Sequence, residues 1–294
     1  LVRLGEKIHE NGFFLPEAMN RALAVLLDFK SLIKKHNCRK VRVVATAGCR
    51  GAVNAPAFIQ DVRQQTGLSI EIISGEEEAS LTHLACKTDF AHLGLPLMVL
   101  DIGGGSTEII LDDGKQVIKK SFPFGVVTLT EKFFHHDPPE NNEIERCREY
   151  IKDNFWKFLP DLGPWTPALS DLSRLLSREA EGLDFGLNLV APAGTPTTLC
   201  AISKNLLEYD SSQVHGTQMA KTEVVKITKK LEALSFNERC LIPCLPPKRA
   251  DVIIAGGHIL DVVMGFFGLT HFTVSDQGLA FGIIYQLLSK TSIP

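Results

Sequence analysis

Residues 99–111 read Val-Leu-Asp-Ile-Gly-Gly-Gly-Ser-Thr-Glu-Ile-Ile-Leu, and the reading of this stretch decides the fold. Two short apolar strands flank a turn made of Gly103, Gly104 and Gly105, followed by Ser106 and Thr107. A hairpin turn seldom needs three glycines. Glycine carries no side chain and tolerates backbone angles closed to other residues. A run of glycines can therefore aim several N–H groups into one concavity, as loops that cradle phosphate oxygens do. Asp101 closes the first strand, and a carboxylate there suits a magnesium ion, which takes one or two carboxylates plus water and substrate phosphates. The alternative is a structural hairpin whose glycines only turn the chain.

The stretch is not a P-loop. A Walker loop needs Lys-Ser or Lys-Thr after its last glycine, opening a helix. Here Thr107 leads into another strand, and the next lysine is Lys115. The spacing of a dinucleotide fingerprint is also missing. A strand, glycine turn and strand with a leading Asp resemble the phosphate site of actin, Hsp70 and the sugar kinases.

The 294 residues are enough for two domains with separate cores. Hydrophobic residues at 45% and charged residues at 22% are those of an ordinary globular protein. A net charge of −3, from 31 basic and 34 acidic residues, argues against general nucleic-acid binding. The seven cysteines are scattered and complete no zinc pattern, so they read as reduced thiols of a cytoplasmic protein. The most apolar stretch, Val252 to Phe272, is broken by His258, Asp261 and several glycines. It reads as a core strand and helix, not a membrane span. The pair His135-His136, beside a Pro-Pro loop, reads as solvated.

Elsewhere helix and strand alternate, which predicts an α/β sheet. Pro16 opens an amphipathic helix, Val41–Ala45 and Leu68–Ile73 read as strands, and Ser74 starts a helix to about Cys86. Residues 87–96 form a looser connection. The domains are accordingly set at 1–93, joined by a C-terminal helix over about 278–294, and at 94–277. In the second domain come a strand near Val117–Phe122, a helix after Asp137-Pro-Pro, and a strand Leu187–Ala191 running into Gly194-Thr195. Val252–Ala255 and Phe272–Val274 read as further strands. Residues 160–180 give no clear pattern.

With these elements in order, the chain resembles the exopolyphosphatase / guanosine pentaphosphate phosphohydrolase (Ppx/GppA) family almost end to end. The resemblance rests on Val44-Ala-Thr46 with Arg50 and Asn54, Ile72-Ile-Ser-Gly-Glu-Glu-Glu-Ala79, and Asp101 through Glu108. Further motifs are Pro123-Phe-Gly125 with Leu129-Thr-Glu131, and Gly194-Thr195 with Thr197-Thr-Leu199. Val214-His-Gly216, Arg249-Ala-Asp251 and Val274-Ser-Asp276 with Gly278-Leu279 complete the series. Each motif alone is weak, while their joint order is specific. The resemblance implies a two-domain, actin-like (ribonuclease H-like) α/β fold with an interdomain cleft. It implies magnesium-dependent (or other divalent-cation-dependent) removal of a terminal phosphoryl group from polyphosphate or guanosine pentaphosphate. It leaves open a non-catalytic sensor of guanosine tetra- or pentaphosphate, and an actin-like kinase of a small metabolite. A homodimer is compatible with it.

Four departures from the family pattern stand out. The chain starts after the family's first phosphate loop, so it reads as N-terminally incomplete. The later loop is Ala191-Pro-Ala-Gly194-Thr195, poorer in glycine, with Pro192 offering no N–H. Ala280 and Phe281 stand where the family commonly has Arg and Glu. The chain ends without the extra C-terminal domains of longer members.

Hydrolysis of a phosphoanhydride needs a positioned water, a base and neutralised phosphate oxygens. Glu76, Glu77 and Glu78 follow one another about 100° apart on a helix, so they cannot all enter one cleft. Ser74 and Glu77 fit a capping box, and Glu76 reads as a solvated residue favoured by the helix dipole. Glu78 remains, and it matches the family's catalytic glutamate. Asp101 is the expected metal ligand, with Gly103, Gly104, Gly105 and Ser106 holding phosphate opposite Gly194 and Thr195. Arg50 is either a bidentate phosphate clamp or a surface arginine. Glu108 is either a second metal ligand or a strand-face residue. Asn54 reads equally as a helix N-cap, and His215 as a substrate contact or a turn residue.

Overall fold

The computed structural model describes residues 2, 4–46, 49, 51–158, 160–162 and 186–289. Its strands form two sheets. In the smaller, β1 (Val43–Ala45) pairs in parallel with β2 (Ile70–Ile72). Around them lie α1 (Ile8–Asn11), α2 (Pro16–Lys35) and α3 (Ala55–Thr66). Proline at the first helical position suits α2, because the missing N–H would have no partner there. Phe14, Ala22, Phe58 and Val62 close the small core between α2 and α3, with the Phe14 and Phe58 rings 5.9 Å apart. Asn54 ties this region together by accepting from the Phe14 amide at 2.8 Å and donating to its carbonyl at 3.0 Å. It stands at the N-cap of α3 but makes no cap bond with its side chain.

The larger sheet has six strands in the order β5-β4-β3-β6-β8-β7. They are β3 (Leu97–Ile102), β4 (Thr107–Asp112), β5 (Val117–Phe122), β6 (Asn188–Ala191), β7 (Gln218–Ala220) and β8 (His271–Val274). The first three form an antiparallel meander, and β6 and β8 add in parallel beside β3. This is the expected actin-like α/β arrangement. Every residue of β3 and β4 is buried, which explains their continuous apolar runs. On the outer strand β5, Lys119 and Lys120 give the sheet a charged edge that discourages further pairing.

Alternation of side chains divides the sheet into two cores. On one face Leu97, Val99, Ile110 and Val190 pack under Ala79 and Cys86 of α4 (Gly75–Asp89). On the other, Met98, Leu100, Ile109 and Leu111 join the main core. Phe122 and Phe155, 4.6 Å apart, extend it. This second face is covered by α5 (Val126–Phe133), α6 (Asn141–Phe158), α7 (Gly194–Ser203), α8 (Ser211–Val214), α9 (Lys221–Glu232), α10 (Phe236–Arg239), α11 (Pro247–Ala250) and α12 (Ile253–Phe266). The C-terminal helix α13 (Leu279–Ser289) lies along α4. A Cβ at Gly282 would come 1.9 Å from the Leu81 carbonyl oxygen, so only glycine permits that approach.

Two local expectations are corrected. Val252–Ala255 is not a strand: Ile253 opens α12, which is buried from Ile253 through Met264. A helix buried on all sides has no polar face, so its apolar run carries no period to read. His136 is not merely solvated, since its Nδ1 lies 2.9 Å from the Glu143 carboxylate. Glu143 also accepts from the His135 amide at 2.8 Å and from the Glu140 amide at 2.9 Å. Burial acts to raise the Glu143 pKa, but these bonds outweigh it and hold the acid at about 2. The unreadable segment at 160–180 falls largely outside the described residues. Among the described residues no helix is long and apolar enough to cross a membrane, and the cysteines are free thiols.

Candidate active-site cleft

Residues from strands and helices of the larger sheet, together with Thr46 just past β1 and the segment around α1, line a cleft of about 890 Å³. Its floor is the glycine hairpin between β3 and β4. The Gly103 amide donates to the Ser106 carbonyl at 2.9 Å and closes the turn. The carbonyls of Gly103 and Gly104 accept from the first amides of α5, Val126 at 2.9 Å and Val127 at 2.8 Å. Gly125 makes this contact possible, because a Cβ there would sit 2.3 Å from the Gly103 oxygen. The carbonyls of Gly103, Gly104 and Ser106 are thus occupied, while the amides of Gly104 and Gly105 donate to no acceptor among the described residues. Such amides at a cleft floor form a concavity for anions.

Opposite lies the turn from β6 into α7. Ala193, Gly194 and Thr195 line the cleft. Ala193 has φ 75° and ψ −170°, a backbone region that favours glycine. The chain therefore keeps the geometry of a glycine-rich loop with an alanine in it. Gly256 lets α12 close on this loop, since a Cβ there would lie 2.5 Å from Thr195 Oγ1.

Arg249 was not singled out from the sequence as a site residue, and it lines the cleft together with Lys248. Its Nη1 donates to Thr198 Oγ1 at 2.8 Å and to the Gly194 carbonyl at 3.3 Å. The guanidinium lies directly over Gly194, 2.8 Å from where a Cβ would stand. Burial lowers its pKa, against the opposing field of the Asp276 carboxylate. The available signal was its place in Arg249-Ala-Asp251, but no spacing rule brings that turn to α7.

The three glutamates at the start of α4 diverge. Glu76 is exposed. Ser74 Oγ accepts from the Glu77 amide at 3.1 Å, as the capping box requires. The second half of the box is replaced: the Glu77 carboxylate lies 2.6 Å from Arg42. Glu78 is buried and lines the cleft with the glycine hairpin, Gly194 and Thr195.

Asp101 and Glu108 do not line the cleft. They face each other across β3 and β4, and Ser121 follows on β5, so the three form a row beneath α4. Thr82 Oγ1 donates to Asp101 at 3.0 Å, and Ser121 Oγ donates to Glu108 at 2.7 Å. Burial pushes the Asp101 carboxyl up, with the Thr82 bond opposing. Ser121, at the end of the row, reaches the cleft wall. Two adjacent buried carboxylates fit a hard divalent cation in donor type. No group of three or more His, Cys, Asp or Glu side chains suited to a metal occurs among the described residues.

Arg50 lies outside the described residues; its neighbours Cys49 and Gly51 line the cleft. His215 is placed away from the lining, with Nδ1 accepting from the Asp276 amide at 3.3 Å and its ring 5.0 Å from Phe90.

Known proteins share this architecture. The chain is 30% identical over 98% of its length to an exopolyphosphatase 2 of Mycobacterium tuberculosis, covering 87% of that protein. It is 26% identical over 98% of its length to a guanosine-5'-triphosphate,3'-diphosphate pyrophosphatase of Vibrio campbellii, of which it spans 53%. Among solved structures, the Aquifex aeolicus PPX-GPPA enzyme superposes with a TM-score of 0.75 at 30% identity, covering 97% of this chain and 87% of that one. The model of the Ppx/GppA phosphatase family matches residues 1–291. The family match spans nearly the whole chain and the fold superposes on that of a solved member, so the chain belongs to the Ppx/GppA phosphatase family.

Proposed function

We propose that this protein is a phosphoanhydride hydrolase. It removes the terminal phosphoryl group of inorganic polyphosphate, guanosine pentaphosphate or both, through attack of a water activated by Glu78. The observation that carries the proposal is the shared cleft, in which Glu78, the hairpin amides, Gly194-Thr195 and Arg249 meet. The names of the relatives from Mycobacterium and Vibrio support the two substrates.

Each group has a role in phosphoryl transfer, where catalysis is mostly positioning and charge stabilisation. The carboxylate of Glu78 accepts a proton from the attacking water. The amides of Gly104 and Gly105 and the guanidinium of Arg249 bear on the phosphate oxygens as charge spreads over them. Apolar walls from Val126, Val127, Val252 and Ile253 limit competing water. Asp101 and Glu108 would hold a magnesium ion, which when bound neutralises charge on the phosphate oxygens.

Phosphate release from tripolyphosphate, long-chain polyphosphate and guanosine pentaphosphate, with magnesium and with chelator, tests the proposal. Magnesium-dependent release from at least one substrate is expected. Tight binding of guanosine tetraphosphate with no release from any substrate would mark a sensor, and transfer of the ATP γ-phosphoryl group to an acceptor would mark a kinase.

A further inference from the structure

The helix α4 carries Glu78 into the cleft, and it meets the larger sheet through polar side chains as well as apolar ones. One turn after Glu78 on the same helix face, Thr82 donates to Asp101 of β3 at 3.0 Å. Farther along, His83 Nε2 lies 2.9 Å from the Asp112 carboxylate, at the end of β4, and Lys87 Nζ donates to it at 2.7 Å. These bonds hold the middle and the far half of the helix. The start of α4, where Glu78 stands, is reached from the sheet by Lys119 of β5. Lys119 Nζ donates to Ser80 Oγ at 2.8 Å, and Ser80 Oγ donates in turn to the Glu76 carbonyl at 2.6 Å. Lys119 stands two residues before Ser121, so it shares the sheet face of the Asp101–Glu108–Ser121 row.

The two side-chain contacts on either side of Glu78 differ in kind. In the pair with Arg42, the Glu77 side chain is 37% exposed, and an ion pair so open to water is weak. Ser80 is only 7% exposed, and a charged donor to a hydroxyl shielded from water makes the stronger bond. We propose that Lys119 is a positioning residue: through Ser80 it fixes the roll of the first turns of α4, and with it the direction in which the Glu78 carboxylate enters the cleft. Lys119 does not line the cleft, so it acts through the helix and not on substrate. The inference rests on Glu78 being the base of the hydrolase proposed above.

Its test is amide hydrogen exchange, together with steady-state phosphate release from tripolyphosphate. Lys119→Met should speed exchange at Glu78, Ala79 and Ser80 about tenfold, as for loss of one bond to a charged donor, and leave Ala85, Cys86 and Lys87 unchanged. General loss of stability would speed both segments alike. In the same variant kcat should fall about tenfold with KM within about twofold, since a misdirected base slows the chemical step and not binding. In a Glu78→Gln background, Lys119→Met should alter the residual release by less than about twofold. A merely structural role would lower release by the same factor in both backgrounds. Should Lys119→Met fold poorly, Ser80→Ala removes the same bond from the helix side. Unchanged exchange at Glu78, Ala79 and Ser80, an unchanged kcat, or an equal loss in both backgrounds overturns the proposal. Faster local exchange with no release from any substrate would leave the anchor standing and defeat the hydrolase reading. Release lost in Glu78→Gln and retained in Lys119→Met would do the reverse.

Discussion

Glu77 and Glu78 are neighbours in the first turn of α4, yet the carboxylate of Glu77 is held 2.6 Å from Arg42 while Glu78 lines the cleft. The two should respond differently to the same change. Glu78→Gln should reduce phosphate release by about 100- to 10,000-fold with the fold retained, the range of a general base. Glu77→Gln should keep most activity and lose at most about 1 kcal/mol of stability, as for a partly exposed ion pair. Steady-state release and chemical denaturation read the two effects, and equal activity in both variants would remove Glu78 from its role.

Ala193 holds a backbone conformation that costs a non-glycine residue about 1–3 kcal/mol. Ala193→Gly should therefore stabilise the protein by about 1 kcal/mol despite the greater freedom glycine has when unfolded. Thermal unfolding measures this, and a lowered midpoint would contradict the strain.

Gly125 and Gly105 should separate packing from binding. A Cβ at Gly125 would overlap the Gly103 and Gly104 carbonyls, whereas one at Gly105 meets nothing within 4 Å. Gly125→Ala should cost about 3 kcal/mol and displace the hairpin, with release falling accordingly. Gly105→Ala should fold with less than about 1 kcal/mol of change. Similar midpoints for the two variants would refute the close approach of α5.

Glu143 gives the fold an acid limb. Its pKa is about 2 when folded against 4.5 for the free acid. The stability it supplies is full above pH 4.5 and is lost as pH falls toward 2. His136 is raised above 6.5, so its share is full below that value and lost as pH climbs through the folded pKa. Glu143→Gln should lower stability by about 2 kcal/mol at pH 5 through its orphaned donors, and by less at pH 3. Urea midpoints at the two pH values provide the check.

What could be read in the sequence was whatever local chemistry determines. The hairpin of Asp101–Glu108, the proline start of α2 and the Ser74 cap needed only their neighbours. Burial on both faces left β3 and β4 legible as apolar runs, but the same all-round burial hid α12 at Val252. Partners distant in the chain stayed out of reach: Arg42 takes Glu77 across 35 residues, and Arg249 reaches Gly194 across 55. The conformation of Ala193 was equally hidden, because composition names the residue and not its φ.

The bonds from α5 to the Gly103 and Gly104 carbonyls have a consequence for selectivity. With the Gly103 and Gly104 carbonyls already engaged, the turn offers the Gly104 and Gly105 amides to the cleft, and that favours an anion over a cation. Because those bonds come from the protein's own α5, the turn is held by packing within the chain, and a phosphate meets a shape it does not have to order.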